Sequence, residues 1–352
     1  MKQLSKGNDC FINFNKTLNA KNFISKDYNY HFNLSTGYFE RWGATIDDDP
    51  SYSPYGPEIL DCEVSTICNK GCQYCYKSNT NIGKNMSFNT FKKVIEKINV
   101  NNQLTQVAFG LGATAEENPD LWKMCDWLRS INIIPNGTVA DITDETATKI
   151  AKYFGAVAIS IHGDKNICYD MVKKLTDLGM KQVNIHHVVY AENHAETYEI
   201  FDDIKKDPRL EKLNAIVLLS LKKKGRAEKG DFHPMSQFEF TNMVNYALDN
   251  KISLGFDSCS AHKFMTAIKN PDNKRMMEQC EPCESFGLFS AYVNVEGKYF
   301  PCSFAEGEGD FKEGFDLVSC KDFIKDVWFS ERLSDYREKS LKCKRKCLLF
   351  EI

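Results

Sequence analysis

Between residues 58 and 250, short apolar runs alternate six times with amphipathic stretches, a rhythm that few chain topologies tolerate. The strand-like runs are Ile59–Ser65, Gln106–Phe109, Ile131–Ile134, Ala156–Ile161, Val183–Val189 and Ala215–Leu219. Between them, apolar residues recur at helical spacing, as in Phe88, Phe91, Val94, Ile95 and Ile98 after the N-cap candidate Ser87. Asn118 and Pro119 predict the cap and first position of a second helix, Thr143 opens a third, and Gly179 closes one at about residues 169–178. Further helices are expected around 196–205 and 238–248. Strand and helix in strict alternation predict a parallel sheet with helical crossovers. A partial (β/α)6 barrel and an open doubly wound sheet both satisfy the pattern. In either, function gathers in the loops at the C-terminal ends of the strands. Residue 135 begins a Pro-Asn-Gly sequence that reads as a loop.

One such loop carries unusual chemistry. Directly after the first strand stand Cys68, Cys72 and Cys75, spaced three residues and then two, with Tyr74 before the last. A structural zinc or an electron-transfer cluster normally takes four protein ligands, whereas this loop offers three thiols. One iron of a four-iron cluster bound here would lack a protein ligand. Zinc knuckles and unrelated buried cysteines are the alternatives at this point.

The loop resembles the signature of the radical S-adenosylmethionine (radical SAM) enzymes, C-x3-C-x2-C with an aromatic before the last cysteine. The resemblance implies a partial (β/α)6 barrel. It also implies a 4Fe–4S cluster on Cys68, Cys72 and Cys75 whose open iron chelates S-adenosylmethionine (SAM). Reductive cleavage of SAM would then give a 5′-deoxyadenosyl radical that abstracts hydrogen from a substrate. Cofactors carry that chemistry, and the protein binds and orients them. Further SAM contacts are implied at Tyr74, at Gly112, Ala113 and Thr114, at Ser160, and at Asn184 or His186. The segment from Gly112 stands where the family has Gly-Gly-Glu-Pro, and of that motif only the first glycine survives. Asn184 and His186 lie two apart on one strand, so they face the same side. Gly225 and Arg226 resemble a Gly-Arg element of related enzymes, although the three lysines before them also suit a solvated loop.

Cysteines accumulate again after residue 250, at positions 259, 280, 283, 302, 320, 343 and 347. The stretch from Ala291 to Cys302 predicts a β-hairpin turning at Glu296 and Gly297. Cys283 followed by Gly297 and then Cys302 resembles the auxiliary-cluster module of SPASM and twitch radical SAM enzymes. That resemblance implies a second 4Fe–4S cluster on Cys283, Cys302, Cys343 and Cys347, with Cys280 and Cys259 as substitutes. Structural zinc on the same thiols is the alternative.

The expected organisation is therefore an N-terminal extension over 1–57, a barrel over 58–250, and a cysteine-rich α+β extension over 251–352. Within the first part, residues 28–34 and 37–42 suit a hairpin, and residues 47–57 suit an extended lead-in. The 352 residues include fourteen cysteines, carry a net charge of −3, and show neither a signal-peptide core nor an apolar run of membrane length. These features argue for a reducing, cytoplasmic setting and against nucleic-acid or membrane partners. No phosphate-binding G-x4-G-K-[ST] loop occurs. The expected substrate is a peptide or protein side chain, with a small alcohol or carbohydrate as alternative. Flavodoxin or ferredoxin is expected as electron donor. A non-catalytic iron–sulfur or zinc protein is the reading from a different functional class.

Overall fold

An antiparallel meander opens the chain in this computed structural model, which describes residues 2–6, 10–269 and 271–352. Its strands are β1 (Lys2–Lys6), β2 (Cys10–Asn15), β3 (Ala20–Ser25), β4 (Asn29–Asn33) and β5 (Phe39–Trp42), each paired with the next. The hairpin expected over 28–42 is its last pair, with Phe32 opposite Phe39 and Gly37 at φ 72° in the turn. The three preceding strands were not legible in the sequence. They alternate Asn and Lys with aromatics and lack the β-branched runs that mark a strand. Ile12, Phe23, Tyr30 and Phe32 pack together with Leu288 and Phe289 from the C-terminal region.

Seven parallel strands follow, lying side by side in chain order: β6 (Ile59–Glu63), β7 (Gln106–Gly110), β8 (Ile134–Val139), β9 (Val157–Ser160), β10 (Val183–Val189), β11 (Ala215–Ser220) and β12 (Leu254–Phe256). Five long helices connect the first six: α1 (Phe88–Ile98), α2 (Leu121–Ser130), α3 (Asp144–Tyr153), α4 (Lys165–Asp177) and α5 (His194–Lys206). Leu60, Cys62, Val107 and Phe109 share one core with Phe91, Val94 and Ile95 of α1 and Leu128 of α2. Each such side chain contributes roughly 1.5–3 kcal/mol on burial. The opposite faces of β6 and β7 look inward, where Asp61 lies across from Ala108 and Glu63 across from Gly110.

Three elements depart from the sequence reading. Strand β8 begins at Ile134 and runs through Pro135, Asn136 and Gly137, the residues read as a loop. Asn136 there acts as a second backbone: its Nδ2 donates to Gln106 Oε1 at 2.9 Å, and its Oδ1 accepts from the Ala156 amide at 2.9 Å. Helix α2 starts after Asp120 rather than Asn118. The Asn118 side chain instead ties strand to helix, donating to the carbonyls of Val64 and Met86 at 2.7 and 2.9 Å. The parallel alternation also continues past residue 250, because a further helix (Gln237–Asp249) leads into β12.

The expected C-terminal hairpin is present as β13 (Ser290–Val293) and β14 (Lys298–Phe300), with Gly297 at φ 78° in its turn. It does not form a separate layer. Strand β13 pairs in parallel with β6, and β15 (Phe315–Asp316) extends the sheet beyond β14. The ten-stranded sheet thus runs from β12 to β15 and its two edges do not meet, which makes it an incomplete barrel. The meander lies across the N-terminal end of this barrel. Tyr30 Oη is 3.2 Å from Thr105 Oγ1 and the buried Lys21 Nζ donates to the Leu104 carbonyl at 2.7 Å. Among the described residues, no helix is long and apolar enough to cross a membrane.

Candidate active site

At the C-terminal ends of the strands the barrel opens into a cavity of about 520 Å³, within the range of small-molecule sites. Cys68, Cys72 and Cys75 line it. The loop that carries them is anchored at its start by the Cys68 amide, which donates to the Thr80 carbonyl at 2.7 Å, and it turns at Gly71 with φ 62°. Its far side is held by Arg226. The Arg226 amide donates to the Cys75 carbonyl at 3.0 Å, Nε to the Cys72 carbonyl at 2.7 Å, and Nη1 to the Asn79 carbonyl at 2.9 Å. Gly225, at φ 63°, makes this approach possible, since a Cβ there would lie 2.7 Å from the Cys75 carbonyl oxygen.

Within the loop, Cys72 Sγ lies 3.1 Å from His162 Nδ1, and Tyr74 Oη donates to the Ile161 carbonyl at 3.1 Å. The Tyr74 and His162 rings stack at 6.4 Å. Burial raises the pKa of the Cys72 thiol, and the neighbouring Cys75 and Cys68 sulfurs add to the shift. Burial also lowers the pKa of His162.

Beside the start of the cysteine loop, Gly112 and Ala113 also border the cavity. A side chain at 112 would collide with the Ile67 carbonyl and with Glu117. Glu117 curls back beneath this turn. Its Oε1 accepts from the Thr114 amide at 3.2 Å, while Oε2 is buried without a partner. Deeper in the barrel lie Thr138, Ser160 and His186, with Thr138 Oγ1 3.3 Å from His186 Nδ1. Burial pushes the His186 pKa down to about 4. Asp61 is exposed to the cavity yet enclosed by protein, which raises its pKa to about 6.

A second group of thiols converges beyond the far wall. Cys259 lies beside Cys347, and both Cys283 and Cys302 are near enough to act on Cys347. Lys222 stands between the two groups, paired with Asp257 and facing Cys259 and Cys347. Cys343 is elsewhere: its thiol donates to the carbonyls of Ser340 and Lys346 at 3.2 and 3.5 Å. Cys280 likewise turns away, donating to the Met276 carbonyl at 3.2 Å. Among the described residues, no group of three or more His, Cys, Asp or Glu is arranged to hold a single metal ion.

No protein-family model matches the sequence, and no curated protein does. Solved structures do. SuiB of Streptococcus suis, a radical SAM enzyme solved bound to S-adenosylmethionine, matches 79% of this chain and 67% of its own at 16% identity, with a TM-score of 0.60. The fold is that of the radical SAM enzymes. HydG, a maturase of the [FeFe]-hydrogenase, covers 84% of this chain and 80% of its own at 11% identity and a TM-score of 0.44. BtrN, solved with AdoMet and 2-DOIA, covers 81% and 87% at 16% identity and a TM-score of 0.30.

In this radical SAM fold the residues singled out from sequence occupy different places. Cys68, Cys72, Tyr74, Cys75, Gly112, Ala113, Ser160 and His186 all border one cavity. Thr114 does not reach it with its side chain, which accepts from the Glu116 amide at 3.2 Å. Asn184 lies near the start of β10 and accepts from Asn214 Nδ2 at 2.8 Å, away from the cavity. Of the later cysteines, 259 joins 283, 302 and 347 where the sequence had suggested 343. Between Cys343 and Cys347, Lys344 and Arg345 both take the left-handed conformation, at φ 58° and 60°. Arg226 was singled out as part of a Gly-Arg element, whereas His162 and Asp61 of the cavity, and Glu117 behind the Gly112 turn, were not. For Glu117 the available signal was its position five residues after a cavity glycine.

Proposed function

We propose that this protein is a radical SAM oxidoreductase. The observation that carries the reading is that Cys68, Cys72 and Cys75 all line the barrel cavity, with the Gly112 turn packed beside the start of their loop. The three thiols would hold a 4Fe–4S cluster with one open iron. Glu117 supports the Gly112 turn from behind, its Oε1 accepting from the Thr114 amide at 3.2 Å. Bound in the cavity, cluster and SAM would supply one-electron reductive cleavage of SAM and hydrogen abstraction from a substrate. The protein's own residues do the positioning. Arg226 fixes the cysteine loop, Tyr74 and His162 brace it, and the side chains of Ser160 and His186 face the space above the barrel floor.

Cys259, Cys283, Cys302 and Cys347 would hold an auxiliary 4Fe–4S cluster. The favoured substrate is a peptide or protein side chain, consistent with the auxiliary thiols, and flavodoxin or ferredoxin would deliver the electron. Dehydrogenation of a small alcohol or carbohydrate is the second reading, favoured by the presence of a single auxiliary thiol set.

The test is anaerobic reconstitution, iron and sulfide counts, and assay of 5′-deoxyadenosine after reduction with SAM present. About eight irons, as two four-iron units, with 5′-deoxyadenosine formed is the expected result. Bound metal without SAM cleavage under several reductants would indicate a metal-binding protein instead.

A further inference from the structure

The barrel cavity contains one charged group that the protein leaves unmatched. Asp61 points inward from β6, opposite Ala108 and level with Asn136, whose side chain reaches down to Gln106 at the barrel floor. Among the described residues its carboxylate makes no hydrogen bond and no ion pair. The cations of the cavity are otherwise engaged. Lys77 is held by Glu63 at 3.0 Å and by Glu306, Lys222 is held by Asp257, and Arg226 spends its side chain on the carbonyls of Cys72 and Asn79. The charged group that acts on Asp61 from behind, Glu284, is itself negative. A carboxylate enclosed this way is costly unless a donor or cation meets it. The small side chain of Ala108 leaves the space beside it open to the cavity.

We propose that Asp61 receives a primary ammonium group of the substrate. The inference rests on the radical SAM reading in one respect: the ammonium of SAM is then engaged at the thiol rim, near Cys68 and Gly112, and does not occupy the floor. A substrate amine entering beneath SAM would neutralise Asp61 and restore the charge balance of the cavity. Depth gives the contact its selectivity, because a carboxylate-bearing molecule of the same shape would meet repulsion there.

The experiment titrates the full reconstituted protein, with SAM present, against n-butylamine, n-butanol and n-butyrate at pH 7.5, observed by ligand NMR. The wild-type chain should bind butylamine most tightly and exclude butyrate. Asp61→Asn should weaken butylamine at least about tenfold, or roughly 1.4 kcal/mol, and leave butanol within about twofold. Ala108→Val keeps the carboxylate but fills the space beside it, and should weaken butylamine and butanol together. Equal affinity for the three probes, or butylamine binding indifferent to both substitutions, overturns the assignment. An assay of 5′-deoxyadenosine on the same wild-type sample separates the two claims. Failure of SAM cleavage with amine selectivity intact would overturn the radical SAM reading and leave the Asp61 site standing.

Discussion

Arg226 Nε donates to the carbonyl of Cys72 at 2.7 Å, across 154 positions of sequence. This contact joins the end of the sixth parallel strand to the loop after the first, and so closes the ring of elements around the cavity. Replacing Arg226 by Lys keeps the charge but not the fork that reaches two carbonyls at once. We expect Arg226→Lys and Arg226→Ala to lower 5′-deoxyadenosine formation by at least about tenfold, because small misplacements of a reacting group cost one to two orders of magnitude. The effect on thermal unfolding should be smaller, which separates loop positioning from general loss of fold.

Gly225→Ala should be more damaging than its size suggests. The residue has φ 63°, and a Cβ would lie 2.7 Å from the Cys75 carbonyl oxygen. Strain of this kind costs about 1–3 kcal/mol. The chain relieves it by pushing away the loop that carries Cys75. Denaturant titration reads the destabilisation, and iron content after reconstitution should fall by up to half.

The auxiliary thiols give a test with a clear contrast. Cys259→Ser should remove about four irons, one four-iron unit, while Cys343→Ser should leave the iron count near about eight. The reverse result would return the ligand set to the one suggested by sequence spacing. Cys68→Ala, Cys72→Ala and Cys75→Ala should each abolish SAM cleavage while retaining the auxiliary iron.

Lys21 provides the pH dependence. It is buried with a carbonyl as its hydrogen-bond acceptor, and burial lowers its pKa from 10.5 to about 7. The unfolded chain therefore binds more protons than the folded one between about pH 7 and pH 10.5. Stability rises with pH across that window, and the full cost of burying the ammonium is present below it. Lys21→Met should stabilise the protein by a few kcal/mol at pH 6.5, and the advantage should shrink as the pH approaches 10. A difference between variant and parent that does not change with pH would show that Lys21 titrates normally.

Much of the barrel was legible because its strands are apolar with one fully buried face and its helices are amphipathic, so pattern marks each in turn. Strand β8 escaped because Pro135 and Gly137 look like turn residues, and only the Asn136 side chain, bonded on both sides, reveals why the pairing survives. The meander escaped for another reason. Its strands bury Tyr and Phe among Asn and Lys, and their stability comes from what they cover. At the site, covalent spacing located Cys68, Cys72 and Cys75, since a short loop leaves three thiols little freedom. It could not choose between Cys259 and Cys343. Nor could it find Arg226 as a support or Asp61 as an inward charge, because both roles arise from residues far apart in the chain.

Arg41 grips the two ends of the protein at once. From β5 it reaches Glu58 at 2.8 Å, Glu284 at 2.5 Å and Glu281 at 3.4 Å, with its guanidinium 3.8 Å from the centre of the Phe289 ring. Glu281 is shared with Arg345, whose Nε donates to the Cys283 carbonyl at 2.9 Å. The opening meander is thus a counterweight to the last cysteines, and its removal would strand acidic side chains beside the segment that carries Cys283. A chain trimmed to its barrel would lose this clamp, and with it the support that Arg41 gives, through Glu281 and Glu284, to the segment carrying Cys283.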